Sequence, residues 1–295
     1  MPAEPVAQPL VSILTPSFNQ AAWLPHALQS VACQTYPHIE QIVMDGGSTD
    51  GSVNILQAAG DTIRWRSEPD NGQSDAINKA FDESRGEIIG WINSDDAYFD
   101  CHVIDDVVRA FQNHPDADVI YGHLAQVAED GTIIWLNWVP PYSRRLLNIV
   151  NFIGQPVAFI RRRALDSPML DASFHFTMDY ELWLRLAEKG CTFKHIGRIT
   201  AIDRHQVDRK GVQLTDVLHS DLERLAGTHG RAYPRGKRAL SWGFYALRRA
   251  LGALLIPLVP RELAFTDVHT SKWAILRRQL FSWHKRWPDD YVPER

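Results

Sequence analysis

Along the first third of the chain, apolar residues gather into short runs that stop abruptly at polar or small residues. Val11 to Leu14 leads into Thr15-Pro16-Ser17-Phe18-Asn19, and Ile39 to Met44 leads into Asp45. Ile63 to Ser67 ends at Glu68, and Glu87 to Ile92 ends at Asn93-Ser94-Asp95-Asp96. Runs of this length between turn residues read as buried strands. Between them apolar positions recur at helical spacing: Trp23, Leu24, Ala27, Leu28 and Val31, then Val53, Ile55, Leu56 and Ala59, then Ala76, Ile77, Ala80 and Phe81. This repeated alternation of strand and helix predicts an α/β fold, a mostly parallel sheet with helices on both faces. The strand tips of such a sheet share one edge, so Thr15 to Asn19, Asp45, Glu68 and Asp95 converge on one crevice.

Beyond that point the pattern changes. Val103 to Phe111 predicts another helix, after which Asp118 to Ala128 and Thr132 to Val139 form two extended runs joined by Glu129-Asp130-Gly131, a hairpin signal. Gly154-Gln155-Pro156 precedes the apolar run Val157 to Ile160. A helix is expected from about Asp179 to Glu188, with Leu182, Trp183, Leu186 and Ala187 on one side and a stop at Gly190. Phe193 to Ile202 reads as strand and Asp203 to Gly211 as a charged loop.

Composition adds a division of the chain. The 295 residues, 45% hydrophobic, suffice for a substantial core, and the formal charge of -4 is unevenly spread. From Arg231 onward there are 13 Lys/Arg against 5 Asp/Glu, and before it 18 against 30. The acidic part is unsuited to nucleic acid, whereas the basic part suits an anionic surface. We therefore expect a domain over 1–230, with halves at about 10–100 and 101–211, and a basic amphipathic helical tail over 231–295. Cys33, Cys101 and Cys191 form no C-x-x-C pair, which argues against a zinc knuckle or a disulfide framework. Met1 to Leu10 lacks a signal-peptide pattern, and no stretch has the length of a membrane span, so a cytoplasmic location is expected.

Two stretches carry candidate chemistry. Asp95 and Asp96 place adjacent carboxylates at a strand tip, an arrangement that a divalent metal carrying phosphate would neutralise, although a plain polar turn, or Asp96 starting a helix, explains it equally. Asp45-Gly46-Gly47-Ser48-Thr49-Asp50-Gly51 reads as a nucleotide pocket, a glycine-rich turn or a calcium loop, the last weakened by Leu56 standing where a closing glutamate belongs. Neither G-x-G-x-x-G nor G-x-x-x-x-G-K-[ST] occurs after the first strand.

Four motifs in order, Thr15 to Asn19, Asp45 to Gly51, Asp75-Ala76-Ile77-Asn78-Lys79-Ala80 and Asn93 to Asp96, resemble those of family 2 glycosyltransferases, inverting nucleotide-sugar-dependent enzymes of the GT-A fold. The resemblance covers about residues 10–211. It implies a donor site built from Thr15, Pro16, Ser17, Asn19, Asp45, Gly47, Asp50, Glu68, Asp75, Asn78 and Ser94. It also implies Mg²⁺ or Mn²⁺ held by Asp95, with Asp96 and His205 as further candidates. Asn93 stands where the family's Asp-x-Asp motif begins, and an amide oxygen is a weaker ligand than a carboxylate. Phe176 to Arg185 is similar to the family's acidic segment at a helix start, which makes Asp179 the general base, with helix capping as its plainer role; Met178 replaces the acid often found before it. Gln155 and Pro156 match a position on the acceptor side.

The resemblance implies a hexosyltransferase of cell-surface polysaccharide biosynthesis, moving a sugar from a UDP- or GDP-sugar, UDP foremost, to a hydroxyl of a glycan or polyprenyl-linked acceptor. A silent carbohydrate-binding or scaffold domain of the same fold is the alternative, supported by Asn93 and Met178. In the tail, aromatic and basic residues between 235 and 286 suit peripheral attachment to an anionic membrane, against docking on the catalytic domain or a dimer interface.

Overall fold

The computed structural model describes residues 8–205, 215–229, 237–259 and 275. Strands β1 (Val11–Ser17), β2 (Ile39–Asp45), β3 (Arg64–Ser67) and β4 (Ile88–Trp91) alternate with helices α1 (Leu24–Ala32), α2 (Ser52–Ala59) and α3 (Gln73–Glu83). Then follow β5 (Ala97–Tyr98), α4 (Val103–Asn113), the hairpin β6 (Val119–Ala128) and β7 (Ile133–Asn137), α5 (Arg144–Leu147), β8 (Ala158–Arg161), α6 (Met178–Glu188) and β9 (Phe193–His205). Helices α7 (Thr215–Thr228) and α8 (Lys237–Leu251) complete the described chain with a 3-10 turn, Gly252–Leu258.

All the strands lie in one sheet of order β3-β2-β1-β4-β8-β6-β9-β5, with β7 beside β6. The pairs among β1 to β4 are parallel, so their carboxyl ends line one edge as expected. Beyond β4 the sheet is mixed: β8 runs antiparallel to β4 and β6, while β9 runs parallel to β6. The central strand β1 is buried over its whole length, because helices cover both faces. One face packs Leu14, Ile42 and Trp91 against α3 and α6, through Ala76, Ile77, Leu182 and Trp183. The other packs Ile13, Ile88 and Phe159 against α4, through Val103, Val107 and Phe111. Gly90 lies at a close approach within that second layer: a Cβ there would stand 2.7 Å from Tyr98 Oη and 2.8 Å from Ile13 Cδ1.

The hairpin turns at Gly131, whose φ of 75° is the left-handed conformation that glycine adopts freely. Gly190, φ 82°, follows α6 in the same conformation. Two expectations need correction. The charged loop does not begin at Asp203, since Asp203, Arg204 and His205 continue β9 in register with Gln126, Val127 and Ala128. The reason is Arg204, only 2% exposed: its guanidinium lies 4.5 Å above the Trp23 ring and reaches the carbonyls of Ala128 and Glu129 at 3.5 and 3.4 Å. A stacked, hydrogen-bonded guanidinium tolerates burial that an unpartnered one would not. Residues 206–211 of that loop lie outside the described residues. Nor does Asp96 start a helix, because β5 intervenes and α4 begins only at Val103.

The first part of the basic tail docks on the body. Arg248 donates from Nε to Trp138 O at 2.9 Å, and the Arg249 guanidinium stacks 4.0 Å from the Trp135 ring centroid. Leu255, Ile256, Val259 and Ile275 join the layer behind α4. The remaining basic and aromatic positions of the tail, 231–236, 260–274 and 276–295, lie outside the described residues, as do the side chains of 237–242.

Candidate active site

The tips of β1 and β2 are laced together by their own polar groups. Asp45, buried at the end of β2, accepts from Gly47 N (3.1 Å), Ser48 N (2.9 Å), Ser48 Oγ (2.5 Å) and Ser67 Oγ (2.7 Å). Its carboxylate therefore shapes the Gly46-Gly47 turn from within. Asn19, with φ 51°, donates from its backbone to Ser48 Oγ at 2.8 Å and accepts from Thr49 N at 2.9 Å. Asp50 accepts from Ala21 N at 2.7 Å and Ser52 Oγ at 2.6 Å, and these bonds hold its carboxyl below the usual range against the opposing desolvation. Gly46 faces Asp70, and a Cβ there would meet Asp70 Oδ2 at 2.9 Å. Thr15 accepts from Gln41 Nε2 at 3.1 Å, Pro16 is buried, and Ser17 Oγ is buried with no hydrogen-bond partner among the described residues.

Glu68 and Asp75 meet at Lys79, whose Nζ lies 3.2 Å from one and 3.3 Å from the other. Burial works against the Lys79 charge, and the two carboxylates outweigh it and raise its pKa. Lys79 was part of a recognised motif yet carried no expected role. Asn78, expected at the donor, instead uses its amide on the backbone of Leu170, donating to O at 2.9 Å and accepting from N at 2.8 Å.

Asn93 organises the acidic tip. Its Oδ1 accepts from Gln73 Nε2 at 2.7 Å and Trp91 Nε1 at 2.9 Å, while its Nδ2 donates to Asp96 Oδ2 at 3.1 Å and Gln155 Oε1 at 2.8 Å. Gln155 also donates to Trp91 O. The amide of Gln155 thus ties the turn before β8 to the end of β4, and Pro156 beside it is buried. Asp96 is buried too, and accepts from Arg204 N at 3.4 Å, which brings the end of β9, with His205, beside the tip. Ser94 is buried and Asp95 half-buried. Among the described residues no three His, Cys, Asp or Glu side chains gather into a metal-holding group. Such a site fits a hard cation that keeps water and phosphate oxygens and takes one or two carboxylates from the protein.

Asp179 stands in the first turn of α6, half-buried, accepting from Asn151 Nδ2 at 3.0 Å and Tyr180 N at 2.7 Å. Burial pushes its pKa up to about 6, although both hydrogen bonds pull the other way. Met178 turns into the core, where Ser74 Oγ meets its sulfur at 3.2 Å. Consequently the first turn of α3 touches both halves of the site: Gln73 reaches the acidic tip and Ser74 the start of the α6 helix. Two groups here went unanticipated. Asn151 carries no motif, and Glu181, buried and paired with Arg185 Nε at 2.9 Å, lies within a motif whose interest fell on Asp179.

Parallel β1 to β4 with an acidic tip, continued into a mixed sheet packed against the helix that bears Asp179, define an open α/β fold with its polar residues gathered at the carboxyl edge of the sheet. The sequence model of glycosyl transferase family 2 matches residues 12–176, more than half of the chain. The chain belongs to this family, and its fold is GT-A. It is 30% identical to a chondroitin synthase of Escherichia coli over 196 residues, covering 65% of this chain and 28% of that protein. It is 29% identical to a hyaluronan synthase of Pasteurella multocida over 234 residues, 75% of this chain and 24% of that protein. The chain therefore spans about a quarter of the length of these relatives. Among solved structures, the mannosyltransferase PcManGT from Pyrobaculum calidifontis, in complex with GDP-Man and Mn²⁺, superposes with a TM-score of 0.57 at 17% identity, covering 86% of this chain and 73% of that one. S. aureus TarS 1-349 in complex with UDP-GlcNAc gives a TM-score of 0.54 at 16% identity, covering 93% and 73%.

Proposed function

We propose that this glycosyltransferase moves a sugar with inversion from a nucleoside-diphosphate sugar, UDP-linked in preference to GDP-linked, to a hydroxyl of a glycan or polyprenyl-linked acceptor during cell-surface polysaccharide assembly. The observation that carries the reading is the first turn of α3, which joins the acidic tip to the helix bearing Asp179 through Gln73 and Ser74. One helix thereby contacts both the acidic tip and the helix that bears the base, an arrangement that supports direct displacement.

The residues divide the work as follows. The β1 and β2 tips receive the nucleoside, where the orphan hydroxyl of Ser17 offers a buried polar group for a ligand to satisfy. Lys79, between Glu68 and Asp75, adds a fixed positive charge near the sugar diphosphate. Asp95 holds Mg²⁺ or Mn²⁺, with His205 beside it at the end of β9; Asp96, bound to Asn93 and Arg204, supports the tip. When bound, the ion stabilises the negative charge that develops on the leaving diphosphate. Asp179 takes the proton of the acceptor hydroxyl as its oxygen bonds to the anomeric carbon and the bond to the diphosphate breaks. A carboxyl titrating at about 6 is ionised at neutral pH yet more basic than an ordinary aspartate, as a general base should be.

The test compares three proteins. Asp95→Ala should lose metal-dependent binding of UDP by calorimetry, and Asp179→Asn should keep that binding while transfer drops by a factor of roughly 10² or more. Normal turnover by Asp179→Asn, or unchanged metal-dependent affinity in Asp95→Ala, refutes the assignment.

A further inference from the structure

We infer that Asp221, on α7, is a positioning residue for Asp179, setting the helix start from which the base acts. The inference rests on the reading of Asp179 as base. Asp221 is 2% exposed, and its Oδ2 accepts from three consecutive backbone N–H groups, His175 at 3.0 Å, Phe176 at 2.7 Å and Thr177 at 3.0 Å. These residues are the last before α6, whose N-cap Thr177 has no side-chain cap of its own. A carboxylate from another helix thus satisfies the N-cap amide together with the two amides before it, and opposes the positive end of the α6 dipole.

The geometry is specific to the strand of chain that precedes the base. Three successive amides converging on one oxygen fix the path of that chain, as in an anion-binding nest, and Asp179 follows two residues after the last of them. The groups nearest Asp179 itself are neutral, Asn151 and the Tyr180 backbone, so its orientation depends on where the helix starts. A second clamp holds α7 to the far end of α6: His229 Nδ1 lies 2.9 Å from Glu188 Oε2. Leu225 is buried between the two clamps. The two clamps allow docking of α7 to be separated from placement of the base.

The full chain is studied as wild type, Asp221→Ala, Asp221→Asn and His229→Ala, with Asp179→Asn as reference. Carbon NMR of the side-chain carboxyls follows the titration of Asp179, identified by its loss in Asp179→Asn, and UDP with Mn²⁺ probes the donor half by calorimetry. In Asp221→Ala the freed helix start admits water, so Asp179 should titrate at a pH about one lower than in wild type. Transfer should fall roughly tenfold or more in kcat, with UDP affinity unchanged. Asp221→Asn, which keeps an acceptor oxygen, should lie between, and His229→Ala should lower Tm while leaving the Asp179 titration in place. An unchanged titration in Asp221→Ala overturns the inference, as does unfolding of both Asp221 variants or an equal shift in His229→Ala. Failure of the base reading is seen separately, as full transfer by Asp179→Asn.

Discussion

At the scale of single residues, Asn93 makes the sharpest statement. An aspartate at this position would present a carboxylate to Asp96 Oδ2 and Gln155 Oε1, the two acceptors that now receive Asn93 Nδ2 at 3.1 and 2.8 Å. Both donated bonds would be lost, and one would become a contact between like charges. Asn93→Asp should therefore lower stability by about 2–3 kcal/mol in urea denaturation without tightening metal-dependent UDP binding. A variant of unchanged stability that binds metal and UDP more tightly would show Asn93 to be only a weakened ligand. Asp179 yields a prediction with a sign. The base works ionised, so kcat should fall as pH drops below about 6, and Asn151→Ala, which removes a bond that lowers this pKa, should move the acid limb to higher pH. An acid limb that stays where it is in Asn151→Ala would mean that Asn151 does not face the working carboxylate. The Asn at position 93 was legible in the sequence, but its meaning was not, because two of its four partners, Gln73 and Gln155, arrive from distant positions that no spacing connects.

At the scale of elements, α3 joins the halves, and the sequence disclosed the helix more readily than its contacts. Ala76, Ile77, Ala80 and Phe81 mark its buried side by spacing alone, and the run-and-tip pattern of β1 to β4 likewise foretold their shared carboxyl edge. Polar side chains on the same helix divide in a way that spacing does not reveal. Gln73 and Ser74 face the site, whereas Asn78 holds the loop at Leu170 with both ends of its amide. Asn78→Ala should thus lower stability by about 1–2 kcal/mol and leave UDP affinity unchanged, read by thermal unfolding with and without UDP and Mn²⁺. Lost UDP affinity at unchanged Tm would return Asn78 to the donor site. The end of β9 was hidden for a related reason: Asp203, Arg204 and His205 look solvated in sequence, whereas the Trp23 ring, His26 Nδ1 and the carbonyls of Ala128 and Glu129 make a buried arginine there tenable. The four-residue α5 is too short to leave a periodic signal at all.

At the scale of the whole molecule, the basic tail is bound to the body by Arg248, Arg249 and Leu255, which answers the docking alternative for α8 and the 3-10 turn after it. The tail also exposes Leu247 (54%), Leu254 (68%) and Leu258 (49%), large apolar side chains within twelve residues of each other. Among the described residues no helix is long and apolar enough to cross a membrane. We propose that these leucines rest on an anionic bilayer, where they enter the headgroup boundary and the basic excess of residues 231–295 adds attraction that salt screens. The full chain should float with vesicles containing phosphatidylglycerol and be released as ionic strength rises. Replacing Leu247, Leu254 and Leu258 together by serine should abolish flotation while leaving UDP binding unchanged. Equal flotation by the serine variant would assign any binding to charge alone, and no flotation by the wild-type chain would leave a second copy as the partner of the leucines, visible as a dimer in analytical ultracentrifugation that the same variant dissolves.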